Sequence, residues 1–308
     1  MGCGTLKGLA MILLSLSAFV LPAEARDVLY YTEGATENRI MTCELDGSNP
    51  HLVLDTGQFP CGLRVDATAG RMYWTEPNVG LICSAKLNGT DVRTVITNAN
   101  YVSDLGIDPA HGMIYATQYA TGLVLSGPMS GGTLTTLVDT GGGRPYGIEY
   151  DSGQIFWADW LWQNEKIVAA NSDGTGSHTI ATNILGPQTL TASGSYVYIG
   201  DVTANEIYRC YKDGSGMTAF AAAVNPWGMV VGDGNLYWAS QNEPLNSEVG
   251  GSIQCVSLSG GTVQTLLVDP VRPWGIAIVD SAQIPEPMTA SLLLLGAGAL
   301  LRRKVSRR

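Results

Sequence analysis

Histidine is scarce in this 308-residue chain, occurring only as His51, His111 and His178. A histidine-built metal cluster or catalytic triad therefore has little material to form from. There is no Cys-x-x-Cys spacing, and no glycine-rich phosphate loop follows a strand to open a helix. Helical 3.6-residue periodicity is missing between the two ends of the chain. Charged residues make up only 14%, and positive charge is rarer still. Between Asp27 and Ile284, 10 basic residues face 25 acidic ones, a balance of −15. Such a surface repels nucleic acid and other anionic polymers. The sequence gives grounds for no cofactor, no metal site and no catalytic residue.

Glycine, at 38 residues, is abundant, and much of it marks a repeat. Tyr30-Tyr31-Thr32-Glu33, Tyr73-Trp74-Thr75-Glu76, Tyr115-Ala116-Thr117-Gln118, Phe156-Trp157-Ala158-Asp159, Tyr198-Ile199-Gly200-Asp201 and Tyr237-Trp238-Ala239-Ser240 follow one another at steps of 43, 42, 41, 42 and 39 residues. Each reads aromatic, aromatic or apolar, small, then acidic or polar. About a dozen residues later come Asp46-Gly47, Asn88-Gly89, Ser130-Gly131, Asp173-Gly174, Asp213-Gly214 and Ser259-Gly260, which read as two-residue hairpin turns. Preceding four of the aromatic motifs or closing the series are Pro60-Cys61-Gly62, Pro145-Tyr146-Gly147, Pro226-Trp227-Gly228 and Pro273-Trp274-Gly275; two repeats carry Ser103-Asp104-Leu105 and Gln188-Thr189-Leu190 instead.

A strand-built period of roughly 40 to 45 residues is the mark of a β-propeller blade. Each repeat reads as four strands: an inner one after Pro-x-Gly, a second at the aromatic motif, a third ending at the glycine turn, and an outer one such as 93–96. The chain opens on a second strand (28–32) with no inner partner, and its repeats end on an inner strand (275–279) with no second. Side by side these complete one blade and remove the edges of an open ring. The expectation is an all-β protein, a six-bladed β-propeller of four-stranded antiparallel blades, occupying 27–283 and closed by its N- and C-terminal strands.

The aromatic motif, the Asp-Gly turn and the Pro-x-Gly strand, in this order, resemble the YWTD repeats of the low-density lipoprotein receptor family. His111, in Asp108-Pro109-Ala110-His111-Gly112, resembles a turn segment of the same family. The resemblance covers nearly all of 27–280 and implies six blades with a ligand-binding face. Tyr146, Trp227 and Trp274 share one repeat position just before the inner strand, with Arg144, Asn225 and Arg272 two residues earlier. Equivalent positions converge around one mouth of the central channel, and aromatics with arginine are the composition of binding hot spots. Two readings of the six residues stand open: a channel-mouth rim for a ligand, or packing at the blade entrance. Trp160 and Trp162 could extend a carbohydrate- or peptide-binding patch. Glu33, Glu76, Asp159 and Asp201 hold a fixed place in the motif, which points to one structural task per blade, hydrogen bonding to a neighbouring strand's backbone.

The two ends read differently. Residues 1–25, with Lys7, an apolar run over 9–20 and Ala23-Glu24-Ala25, have the form of a secretory signal peptide. Residues 284–308 carry Pro285-Glu286-Pro287, an apolar run over 290–301 and the tail Arg302-Arg303-Lys304-Val305-Ser306-Arg307-Arg308. This arrangement resembles the bacterial PEP-CTERM sorting signal, which implies an exosortase-type processing enzyme as partner, a short membrane segment before processing, and a Gram-negative host. The run is shorter than the roughly 20 residues of a comfortable span, which suits a temporary anchor. Beyond Cys3, five cysteines remain, an odd number for an exported protein; four sit at equivalent places in different blades, too far apart to bridge, so free and mostly buried thiols are expected.

Together these expectations describe an exported, non-enzymatic binding or adhesion module of the cell envelope, cell surface or extracellular matrix, with an extracellular polysaccharide or protein as ligand and no nucleic acid partner. The other class to be weighed is a propeller hydrolase or lyase, lactonase-like, with a metal at the channel mouth, for which Asp104 and Asn225 are the available residues.

Overall fold

A computed structural model of the chain describes residues 27–34, 37–241, 250–269 and 272–279. The expected signal peptide and the sorting segment with Pro285, Glu286 and Pro287 lie outside the described residues. Among those described, no helix is long and apolar enough to cross a membrane.

The chain opens with β1 (Val28–Glu33), β2 (Arg39–Glu44) and β3 (His51–Asp55). Blade two is β4 (Leu63–Asp66), β5 (Arg71–Glu76), β6 (Leu81–Lys86) and β7 (Arg93–Ile96); blade three is β8 (Val102–Asp108), β9 (Met113–Gln118), β10 (Leu123–Pro128) and β11 (Thr135–Asp139). Blade four is β12 (Pro145–Asp151), β13 (Gln154–Asp159), β14 (Lys166–Asn171) and β15 (His178–Thr182). Blade five is β16 (Pro187–Ser193), β17 (Tyr196–Asp201), β18 (Glu206–Tyr211) and β19 (Thr218–Ala222), and blade six is β20 (Pro226–Gly232), β21 (Asn235–Gln241), β22 (Gly251–Ser257) and β23 (Gln264–Asp269). Last comes β24 (Pro273–Val279), which pairs antiparallel with β1, so the first sheet runs β24-β1-β2-β3. Val28 faces Val279 and Tyr31 faces Ile276, and the ring is closed as the sequence predicts.

Alternation along the second strand explains why the motif carries two large residues in succession. Neighbouring side chains on a strand point to opposite faces, and in a propeller the two faces meet different blades. Tyr30 packs with Leu63, Met72 and Trp74 between blades one and two, while Tyr31 packs with Tyr237, Ile253 and Ile276 between blades six and one. The same division holds for Tyr73 and Trp74, for Phe156 and Trp157, and for Tyr237 and Trp238. The core is thus six inter-blade layers, each supplied from both sides by consecutive motif residues. Trp74, Trp157 and Trp238 are among the largest fully buried side chains, and truncating a buried tryptophan costs about 3–5 kcal/mol.

The third position is small because it lies where blades meet. Thr32 Oγ1 accepts from the amide of Gly275 at 2.8 Å and donates to the carbonyl of Cys61 in the next blade at 3.1 Å. Thr75 repeats this, accepting from Gly62 N at 3.0 Å and donating to Ser103 O at 3.4 Å, and Thr117 donates to Tyr146 O. Blades four to six carry Ala158, Gly200 and Ala239 there and lack the staple. Gly200 sits opposite Thr189, which replaces the usual inner-strand glycine, and a Cβ on Gly200 would lie 2.7 Å from Thr189 Cγ2. A larger residue on one strand is thus matched by a smaller one on its partner.

One expectation is corrected. The glycine turns join antiparallel strands, but not as two-residue hairpins. Six residues separate β2 from β3 and β6 from β7. In the first, Gly47 N donates to Glu44 O at 2.9 Å, and both Gly47 (φ +80°) and Asn49 (φ +56°) are left-handed. The preceding Asp or Asn turns its side chain forward: Asp46, Asn88, Asp173 and Asp213 each accept from the amide two residues on, at 2.9–3.1 Å. This side-chain capping favours a type I turn with a left-handed glycine, which lengthens the loop.

Candidate functional site

Every inner strand begins on one face of the ring, here the upper face, and every second strand ends there. The hairpin turns, the start of β1 and the end of β24 lie on the lower face. The repeat position that opens each inner strand forms a rim around the upper mouth, in the order Cys61, Ser103, Tyr146, Gln188, Trp227, Trp274.

The three expected aromatics do share this mouth, but as two groups. Trp227 and Trp274 stand edge to face with centroids 4.2 Å apart, and Phe59 closes on Trp274 at 5.0 Å. The Trp227 indole N–H donates to Asn225 Oδ1 at 3.0 Å, and Asn225 is buried with φ of +45°. Asn225 thus orients a tryptophan and carries no open contact to the mouth. Both tryptophans are half-buried and pack on each other at the junction of blades six and one. The carbonyl of Arg272 accepts from Gly34 N at 3.2 Å.

Tyr146 belongs to a separate series. It stacks on Tyr119 at 5.3 Å with planes 13° apart, Tyr119 meets Tyr101 edge-on at 6.2 Å, and on the other side Tyr146 meets Trp160 at 5.6 Å. Arg144 is exposed beside it; its amide donates to Asp159 Oδ1 at 2.6 Å and its carbonyl accepts from Trp160 N at 3.0 Å. Two residues on, Trp162 is 80% exposed. Phe59, Tyr101 and Tyr119 were not singled out from the sequence. Yet Phe59 and Tyr101 occupy the repeat position of Arg144, Asn225 and Arg272, and Tyr119 that of Trp160, so the repeat itself could have found them.

The motif carboxylates do structural work, by more than one route. Asp159 accepts the Arg144 amide, and Asp201 accepts those of Leu185, Thr203 and Ala204 at 2.8–2.9 Å, so their backbone partners lie in the upper loops and not, as expected, in a neighbouring strand. Glu76 departs from this by accepting the Trp74 indole N–H at 2.9 Å, and Glu33 by pairing with Arg39.

Below the rim, Arg64 spans the channel. Its guanidinium donates to Ile148 O at 2.8 Å and lies 3.3 Å from Asp104 Oδ2 and 3.5 Å from Glu149 Oε2. Asp104 also accepts from Leu105 N at 2.9 Å and Ile148 N at 3.2 Å, and Thr191 Oγ1 donates to Glu149 at 3.4 Å. Burial raises the carboxyl of Asp104 above its ordinary range, with Arg64 opposing. Burial likewise pushes Glu149 up to about 7; Arg64 opposes this and Asp104 adds to it. The set ties four consecutive blades together across a cavity of about 190 Å³. A second cavity of about 390 Å³ opens at the lower mouth, lined by Asp27, Asp66, Pro109, Val231 and Asp233 among others. Among the described residues no three His, Cys, Asp or Glu side chains cluster as metal ligands, and Cys43, Cys61, Cys83, Cys210 and Cys255 are free and buried.

Architecture and channel together define a six-bladed β-propeller of four-stranded antiparallel blades. In sequence it is similar to human low-density lipoprotein receptor-related protein 4, 29% identical over 161 residues that make up 51% of this chain. The rat and mouse proteins of that name are 28% identical over the same length. The chain spans 8% of the length of these relatives. No family model matches it. In structure it is similar to a chain of a nidogen/laminin complex (TM-score 0.73, 21% identity, covering 83% of this chain and 99% of that one). It is also similar to a putative TolB from Agrobacterium tumefaciens (0.60, 16%, 80% and 90%) and to a streptogramin B lyase (0.52, 19%, 77% and 72%). The structural likenesses bear on the fold alone.

Proposed function

We propose that the chain is a YWTD-type propeller acting as an exported, non-enzymatic binding or adhesion module at the cell surface or in the extracellular matrix of a Gram-negative bacterium. Its ligand is an extracellular polysaccharide or protein taken at the upper mouth. The observation that carries this reading is the gathering of Phe59, Tyr101, Tyr119, Tyr146, Trp160, Trp227 and Trp274 on one face, several of them half-exposed. Large aromatics left partly in water at a rim are the anchors that interfaces use.

Replacing Trp227 and Trp274 by Ala tests the rim. If it binds, attachment to the host's extracellular polymer weakens by on the order of 2 kcal/mol per anchor while folding is largely kept. If the pair is packing alone, stability falls by about 3–5 kcal/mol and binding of the folded fraction is unchanged.

Sorting through Pro285-Glu286-Pro287 and an exosortase-type enzyme completes the proposal, and intact mass of surface material from the native host should lack residues 290–308. A hydrolase or lyase reading with a channel metal is less well supported: Arg64 lies against both channel carboxylates and would repel a cation, and Asn225 faces an indole. Stoichiometric calcium or zinc in the purified domain would reverse that judgement.

A further inference from the structure

The aromatic series Tyr101–Tyr119–Tyr146–Trp160 crosses blades three and four as a row of contacting rings, separate from the Trp227–Trp274 pair, and Trp162 follows two residues after Trp160 in the same loop. Its outer members stand in solvent: Tyr101 is 56% exposed and Trp162 80%. Trp162 is held there by its loop. Asn164 N donates to Leu161 O at 2.7 Å, Gln163 N donates to Glu165 Oε1 at 3.1 Å, and Gln163 takes the left-handed conformation at φ +66°. The loop is thus internally braced while it presents a large apolar ring to water, which is unfavourable unless something covers the ring. Tyr101 is also left-handed, at φ +58°, an uncommon state for a bulky residue.

The polar atoms of the row are available in part, Tyr101 being exposed and Tyr119 and Tyr146 half-buried. Among the described residues, the hydroxyls of Tyr101, Tyr119 and Tyr146 make no hydrogen bond. The row therefore offers apolar ring surface alternating with free hydroxyls that can donate and accept. A pyranose ring is built the same way, with apolar C–H faces edged by hydroxyls. The two cavities described above lie elsewhere, in the channel and at the lower mouth, and the row is an extended series of exposed and half-buried rings, which suits an extended chain lying across it. Its setting is a domain with a balance of −15 and one exposed cation, Arg144, beside the row, which disfavours a polyanion.

We propose that this row is a platform for a neutral polysaccharide, with Tyr101 and Trp162 as its outer contacts. The proposal rests on the binding-module reading and narrows it, moving the main contact from the Trp227–Trp274 pair to blades three and four. Affinity electrophoresis of the folded domain through gels containing hydroxyethyl cellulose, galactomannan or alginate provides the test, using wild type, the doubly substituted Tyr101→Ala/Trp162→Ala and Trp227→Ala/Trp274→Ala. Both residues of the first pair are exposed, so that variant should melt with the wild type. The expected result is retardation in at least one neutral gel and a rise in Kd of at least tenfold for Tyr101→Ala/Trp162→Ala, larger than the rise for Trp227→Ala/Trp274→Ala. Retardation in alginate alone, or an unchanged Tyr101→Ala/Trp162→Ala variant, would overturn the platform. Loss confined to Trp227→Ala/Trp274→Ala would overturn it and leave the binding-module reading standing. Absence of retention in every gel and on the host's own extracellular material would remove both.

Discussion

The amide of Gly275 donates to Thr32 Oγ1 at 2.8 Å across 243 residues of sequence, and the same hydroxyl donates onward to Cys61. One side chain thus joins the last inner strand, the first second strand and the neighbouring blade. Thr32→Val should remove both bonds and leave a buried amide unpaired, costing about 2 kcal/mol and lowering Tm by on the order of 5 °C. Deleting 27–33 should open the ring altogether. Thermal melts followed by circular dichroism check both, and a deletion variant melting within a few degrees of the parent would refute closure as a source of stability.

Glu149 gives a pH dependence with a definite sign. Its folded-state pKa of about 7 lies above the ordinary value of 4.5, so the folded protein binds a proton more tightly than the unfolded chain. The associated stability is fully present below about pH 4.5 and is lost as pH rises towards 7, amounting to at most about 3 kcal/mol. Denaturant titrations at pH 5 and pH 7.5 should show a wild-type decrease that Glu149→Gln reduces, since the amide has no proton to lose.

Gly200 and Thr189 should be coupled. Gly200→Ala alone pushes a methyl to 2.7 Å from Thr189 Cγ2 and should destabilise by about 1–3 kcal/mol. Adding Thr189→Gly restores the pairing of inner-strand glycine with alanine used in blades four and six, and should recover on the order of 1 kcal/mol or more. A double-mutant cycle in urea measures this, and strict additivity would show that the two positions do not communicate.

The five described cysteines should be silent to thiol reagents in the folded state. Burial holds Cys43 at about 12 and both Cys83 and Cys210 at about 11, so little thiolate exists at pH 8 and reagent access is poor. Reaction with Ellman's reagent should therefore be negligible before denaturation and rapid for all five after it, and a reducing agent should leave Tm unchanged.

The sequence announced most of the architecture because its repeat is dictated by geometry that recurs. Consecutive aromatics serve opposite blade junctions, and inner-strand glycines stand where the next strand's backbone arrives. A Cβ on Gly147, for instance, would lie 2.8 Å from Thr189 Cα. The turn length was less legible, since Asp46 and its counterparts act through side-chain oxygens that a dipeptide pattern does not show. At the mouth, equal repeat position revealed Tyr146, Trp227 and Trp274 but not their division. That division depends on Cys61, Ser103 and Gln188 interrupting the ring of aromatics, and on Phe59, Tyr101 and Tyr119 arriving from the flanking connections. Arg64 and Glu149 were invisible as partners because they come from non-adjacent inner strands and meet only across the channel.

The juxtaposition of Val28 and Val279 has a mechanical consequence. Both strands leave the ring at the same end of one antiparallel ladder, so tension applied between the two termini loads that ladder one rung at a time, as in opening a zipper, instead of shearing all its rungs together. A propeller held from both ends would yield at this seam under modest load. Held from one end and pulled at its upper mouth, it would pass the force through the sheets and leave the seam unopened.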